Sequence, residues 1–333
     1  MRFLSAVVLA LTLCLSLTAT TGLIPTDALA KEKSKREKQA LPVLNRPEDV
    51  LKWINDYRHA PQPDQVPHVV QAMSRLGMFR DLEQAGVYIG FIGGVLGSNP
   101  KTAERLIARM FPLPPEDQVA LIRAIAYSNH PGWKGLLQAF TERMPARQVL
   151  ITKYLYGDGK TLAELPLDDG SYVIDTNWGY YFATGYAEPV QRIVSALAWT
   201  EQRESVEKLT IGAMAKWTLA TNATREKDLL DILKQEMGVA PENVRKPLAE
   251  VIDAAETFET AKIRKEALAS IEELKAKGPE SARRFSWWGT AGQTVLALGC
   301  VAASALGQVE VGIPCVVGGA LSGAALKYLT PGQ

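Results

Sequence analysis

The chain has 333 residues, and its 37 lysines and arginines against 36 aspartates and glutamates leave a formal charge of +1. With no overall field to draw the body onto a polyanion, nucleic acid is excluded as a partner class. Three histidines and three cysteines without metal-ligand spacing give no reason to expect a metal or a cofactor.

Residues 1–30 read as a signal peptide. Met1 and Arg2 give a positive start, 3–18 an apolar core, and Ala28-Leu29-Ala30 the small-x-small pattern of a cleavage site. The core is shorter than the roughly 20 residues a spanning helix needs, and Pro25 follows it. The chain is therefore expected to be exported, to a periplasm or out of the cell. Cleavage would leave Cys300 and Cys315 as a pair in a compartment that permits disulfides. Residues 31–45 form a charged, flexible leader with little to bury.

From 46 to 240 the pattern predicts an all-α array of short amphipathic helical pairs, solenoid-like or an irregular bundle. The first helix is announced by Pro47 at its first turn, by Glu48 and Asp49 at the positive helix end, and by Val50, Trp53, Ile54 and Tyr57 on one face. Further helices are expected at 66–76, 82–96, 100–111, 115–127, 133–144 and 146–156. After a turn-rich stretch at 157–171 they resume at 178–183, 190–199, 206–219 and 227–237, with Pro, Gly and Asn marking the breaks. No run of alternating β-branched residues argues for a sheet. The stretch before and after Pro100 resembles that around Pro189 in order and composition, so a duplicated unit is a second expectation.

Residues 241–278 predict a long charged amphipathic helix, stopped by Gly278-Pro279. Residues 279–333 then form a Gly/Ala-rich apolar hairpin turning near Gln308, with Gly319 and Gly323 in small-xxx-small spacing. Cys300 and Cys315 lie at nearly equal distances from that turn, which predicts a disulfide between them. Arg283, Arg284, Trp287 and Trp288 stand where interfacial anchors would, so residues 287–326 are a membrane-contact candidate. Packing of the hairpin on the helical body is the competing expectation.

No catalytic motif is present, and an enzyme is not the expected class. His59, His68 and His130 have no sequence neighbours that make them ligands or bases. Asp168, Asp169 and Asp175 supply the carboxylates for an alternative reading as an envelope hydrolase. Trp178, Tyr180, Tyr181 and Tyr186, with Phe182, are either a binding surface or core. The expected function is non-catalytic binding or scaffolding of a protein or envelope component through a helical surface.

Overall fold

The computed structural model describes residues 41–258 and single positions between 260 and 273. The expected signal peptide, most of the expected leader, the expected hairpin at 279–333 and the residues singled out there (Arg283, Arg284, Trp287, Trp288, Cys300, Cys315) lie outside the described residues. Among the described residues there are 12 α-helices and no strand, so this part of the chain is all-α.

The helices are α1 (Pro47–Tyr57), α2 (Val66–Arg75), α3 (Gly86–Ser98), α4 (Ala103–Met110), α5 (Gln118–Ala126) and α6 (Trp133–Ala139). They continue as α7 (Gln148–Tyr156), α8 (Ser171–Thr184), α9 (Ala187–Ser195), α10 (Val206–Ala223), α11 (Lys227–Val239) and α12 (Glu242–Thr257). Most begin and end within a few residues of the sequence-based expectation. The start of α1 is fixed by Asp49, whose carboxylate accepts from the backbone amide of Arg46 at 3.0 Å.

Two helices differ from the rest. In α3 every residue from Gly86 to Leu96 is buried, and in α8 every residue from Tyr172 to Ala183. A helix with no polar face has to be enclosed on all sides, and these two make the most extensive helix contact among the described residues. Glycine sets their separation. A Cβ on Gly90 would stand 1.9 Å from the carbonyl oxygen of Thr176, and one on Gly179 2.0 Å from that of Val87. The two backbones therefore touch directly, and the large rings of Tyr88, Phe91, Trp178, Tyr181 and Phe182, each almost wholly buried, pack around the crossing.

α8 starts seven residues before the expected 178, because Asp175, Thr176 and Asn177 make its first half look like a turn. Thr176 donates its hydroxyl to the Tyr172 carbonyl at 2.7 Å, and Asn177 its amide to that of Val173 at 2.7 Å. Polar groups satisfied within their own helix can be buried without the loss that an unpaired donor brings.

The expected long helix at 241–278 also departs from the pattern. α12 ends at Thr257, and Phe258 takes a left-handed conformation with φ of 60°. Beyond that turn Ile263, 4% exposed, lines a recess together with Leu209 and Ala213.

Arg58, just past α1, ties the first helix to α11. Its guanidinium, 3% exposed, meets Glu226 at 2.5 Å and Asp228 at 2.9 Å, and lies 4.9 Å from the centre of the Tyr181 ring. The Tyr181 hydroxyl donates to Asp228 at 3.0 Å, and Asn55 donates to Glu226 at 3.0 Å. Burial alone would raise the Asp228 carboxyl, but the bonds from Arg58 and Tyr181 hold it below the usual carboxylate range.

The glycine crossing makes a direct prediction. Gly90→Ala and Gly179→Ala force two backbones apart and are expected to cost about 3 kcal/mol or more each. Gly135→Ala in α6, whose added Cβ meets nothing within 4 Å, is expected to gain roughly 0.5 to 1 kcal/mol from helix propensity. Urea denaturation of the three variants measures this. Mild effects at Gly90 and Gly179 would mean that the helices do not meet at backbone contact.

Candidate binding cleft

A cleft of about 520 Å³ opens between the α5–α6 connection, the 3-10 turn at Leu162–Glu164 and the junction of α8 with α9. This is a volume suited to a small ligand or a few residues of peptide. Tyr127, Trp133, Tyr180 and Tyr186 supply its aromatic lining, Asn177 and Arg192 its inner polar groups, and Glu188 an exposed carboxylate.

The floor is anchored on the central helices. A Cβ on Gly97 would stand 2.0 Å from the Ser128 carbonyl oxygen, so the end of α3 presses directly on the chain after α5. That same carbonyl accepts the Tyr180 hydroxyl at 3.1 Å. Asn129 then turns the chain with φ of 54°, a conformation that asparagine adopts more readily than most residues. Burial first of all, with the nearby Tyr186 and Glu188, pushes the Tyr180 hydroxyl up to about 12.

The far wall is held by Arg192 on α9. Its two terminal nitrogens donate to the carbonyls of Leu162 and Leu165, and no carboxylate pairs with it among the described residues. Desolvation lowers its pKa. The wall is closed locally by Thr161 and Glu164, which form a capping box, and the Glu164 carboxylate accepts both the amide and the hydroxyl of Thr161 at 2.8 Å. On the other side, Gly185 ends α8 with φ of 70°, and Tyr186 follows at the cap of α9, 52% exposed.

His130 lines the cleft but is held on both ring nitrogens. Nδ1 accepts the Gly132 amide at 2.8 Å, which places the proton on Nε2, 3.4 Å from the Pro100 carbonyl. An imidazole fixed in this way is an orienting wall rather than a free base. His59 lies 3.4 Å from Glu226 and His68 3.2 Å from the Pro42 carbonyl, both away from this cleft. Among the described residues no group of three metal-ligating side chains comes together.

The aromatic cluster expected from the sequence is divided. Trp178 and Tyr181 are not a binding surface: both are fully buried, Trp178 donating to Thr218 at 3.0 Å and Tyr181 to Asp228. Tyr180 and Tyr186, on the other side of the same helix and at its end, do reach the cleft. The three aspartates do not share a site. Asp175 is fully buried in α8, Asp169 accepts from Tyr172 at 2.5 Å, and Asp168 faces Lys208 at 3.8 Å.

Tyr127, Trp133, Glu188 and Arg192 were not singled out by sequence. Their one shared signal is that each stands within a few residues of a proline, Pro131 in the turn before α6 or Pro189 in the first turn of α9. A second, smaller recess of about 220 Å³ near α10 and α12 is bordered by the Lys216–Glu250 ion pair, with Pro247 and Ile263 in its wall.

Compared with family models, curated proteins and solved structures, the chain matches none. No helix among the described residues is long and apolar enough to cross a membrane.

If Arg192 braces the wall, Arg192→Lys, whose single ammonium cannot span both carbonyls, will loosen it. Hydrogen exchange at the Glu164 and Leu165 amides is expected to speed up about tenfold while that of α3 stays unchanged. Equal protection in both proteins would remove the bracing role.

Proposed function

We propose that this chain is an exported, non-catalytic helical binding protein of the cell envelope or extracellular space, and that its ligand lies in the cleft bordered by Trp133, Tyr180 and Tyr186. The observation that carries the reading is that cleft: aromatic side chains from three separate elements converge on one recess, braced from behind by Arg192. Aromatic side chains with a few fixed polar groups are the usual composition of a ligand site. Acid–base chemistry finds no support there, since His130 is held on both nitrogens and Asp175 is buried elsewhere.

The finer architecture belongs to the same proposal. We read 46–240 as packed helical pairs with an internal duplication: α3 and α8, the first helices of the two similar stretches, are each other's main partner. We read 279–333 as a disulfide-closed hairpin that packs on the body or on a partner. A bilayer-inserted hairpin is the alternative, favoured by the charge-free composition of 287–307 and 311–326.

Two measurements test this. A panel of capped peptides and neutral oligosaccharides is screened by thermal denaturation against the wild type and Tyr186→Ala. A ligand at a hundredfold its Kd should add about 2.7 kcal/mol of stability to the wild type and far less to the variant. Compounds that stabilise both equally, or that are consumed by the protein, would overturn the reading. Host fractionation followed by mass spectrometry without reduction should find the chain in a soluble exported fraction, starting at Lys31, with Cys300 and Cys315 joined. Recovery only in detergent transfers the hairpin to the bilayer.

A further inference from the structure

Resting on the reading of the cleft as a binding site, we infer that its ligand is a cationic side chain, lysine or arginine, presented by an extended peptide of a partner protein. The charged groups of the cleft point to that class. Several donors inside the cleft are turned onto the protein: Tyr180 on the Ser128 carbonyl at 3.1 Å, Thr161 on Glu164 at 2.8 Å, His130 on Pro100 at 3.4 Å, one amide hydrogen of Asn177 on Val173 at 2.7 Å, and both terminal nitrogens of Arg192 on Leu162 and Leu165. The Tyr127 hydroxyl is paired with that of Tyr154 at 3.3 Å.

The charged acceptor of the lining is not engaged: Glu188 carries a carboxylate that meets no cation among the described residues. Tyr186 adds an open ring two residues from Glu188. Asn129, Trp133 and Tyr186 carry further donors at partly or fully exposed positions. A carboxylate that lines a recess without a cation opposite it asks the ligand for N–H groups. A carboxylate beside an aromatic face selects a charged one, through a charge-assisted hydrogen bond and a cation–π contact. Arg192, the one cation of the lining, is turned onto the wall carbonyls and leaves the Glu188 charge unpaired. The volume of about 520 Å³ exceeds what one side chain fills and leaves room for the flanking peptide backbone.

The test uses the full chain and capped glycine pentapeptides with arginine, lysine, glutamine or glutamate at the centre, together with a neutral chito-oligosaccharide, and binding is followed by NMR titration. Arginine and lysine peptides should bind, the glutamine peptide at least about tenfold more weakly, and the glutamate peptide not at all. Glu188→Gln should weaken the basic peptides about tenfold without affecting the neutral one, and added salt should weaken them further. Glu188 and Tyr186 are exposed, so both variants are expected to fold, and circular dichroism checks this. If the glutamine peptide or the oligosaccharide binds as well as the arginine peptide, and Tyr186→Ala abolishes that binding, the cationic inference fails while the cleft stands as a site. If no probe responds to Tyr186→Ala, the inference and the reading beneath it both fall.

Discussion

The structure depends on the contact between α3 and α8 at backbone distance. Gly90 and Gly179 bring each helix against a carbonyl of the other, so close that no side chain fits between them. The consequence is enclosure. Once the axes are this near, the rings of Tyr88, Phe91, Trp178 and Phe182 spread outward around the crossing, and every surface of both helices needs a cover. α1, α5 and α9 supply part of it, each packed on one of the central pair. The one-sided amphipathic patterns of α1 and α9 follow from that task. The cleft inherits its rigidity from the same source, because its floor is the end of α3 pressed through Gly97 on Ser128, and the Tyr180 hydroxyl on the same carbonyl.

What could be read from the sequence follows from this division. The covering helices were legible: α1 carries its proline, its acidic first turn and its apolar stripe in the right register, and most of the other boundaries fall at Pro, Gly or Asn. The central helices were harder, since a helix buried on all sides has no periodicity to detect. α3 was recognisable from its unbroken apolar run. The first half of α8 was not, because Asp175, Thr176 and Asn177 look like surface residues until their bonds to carbonyls one turn back are seen. The same lack of periodicity explains why Trp178 and Tyr181 could not be told from Tyr180. All three lie on one enclosed helix, and only the position of the cleft distinguishes them.

The cleft was only partly legible, for a different reason. Tyr180 was noted, but its relation to Ser128 spans 52 positions, and that of Arg192 to Leu162 spans 30. No local pattern encodes such a meeting. It arises from the order in which α5, α8 and α9 pack, and the carbonyls concerned, those of Ser128 and Leu162, stood in segments that read as boundaries. His130-Pro131-Gly132 marks a turn in the sequence and a wall in the structure.

Two polar clusters now stand side by side, and the contrast between them gives the cleft its meaning. Around Arg58 donors and acceptors match: the guanidinium faces Glu226 and Asp228, Tyr181 and Asn55 complete the acids, and an aromatic ring covers the charge. Buried pairs of this kind add little net stability because desolvation offsets the attraction, yet breaking one leaves an uncompensated charge. Such a network therefore fixes how α1 meets α11 and has no use for a ligand. In the cleft the match is incomplete. Arg192 is satisfied by carbonyls and not by a carboxylate, so Glu188, one turn earlier on the same helix, keeps its charge facing the open recess. A chain that closes one charged cluster so thoroughly leaves the other open on the side where a partner's cation would enter.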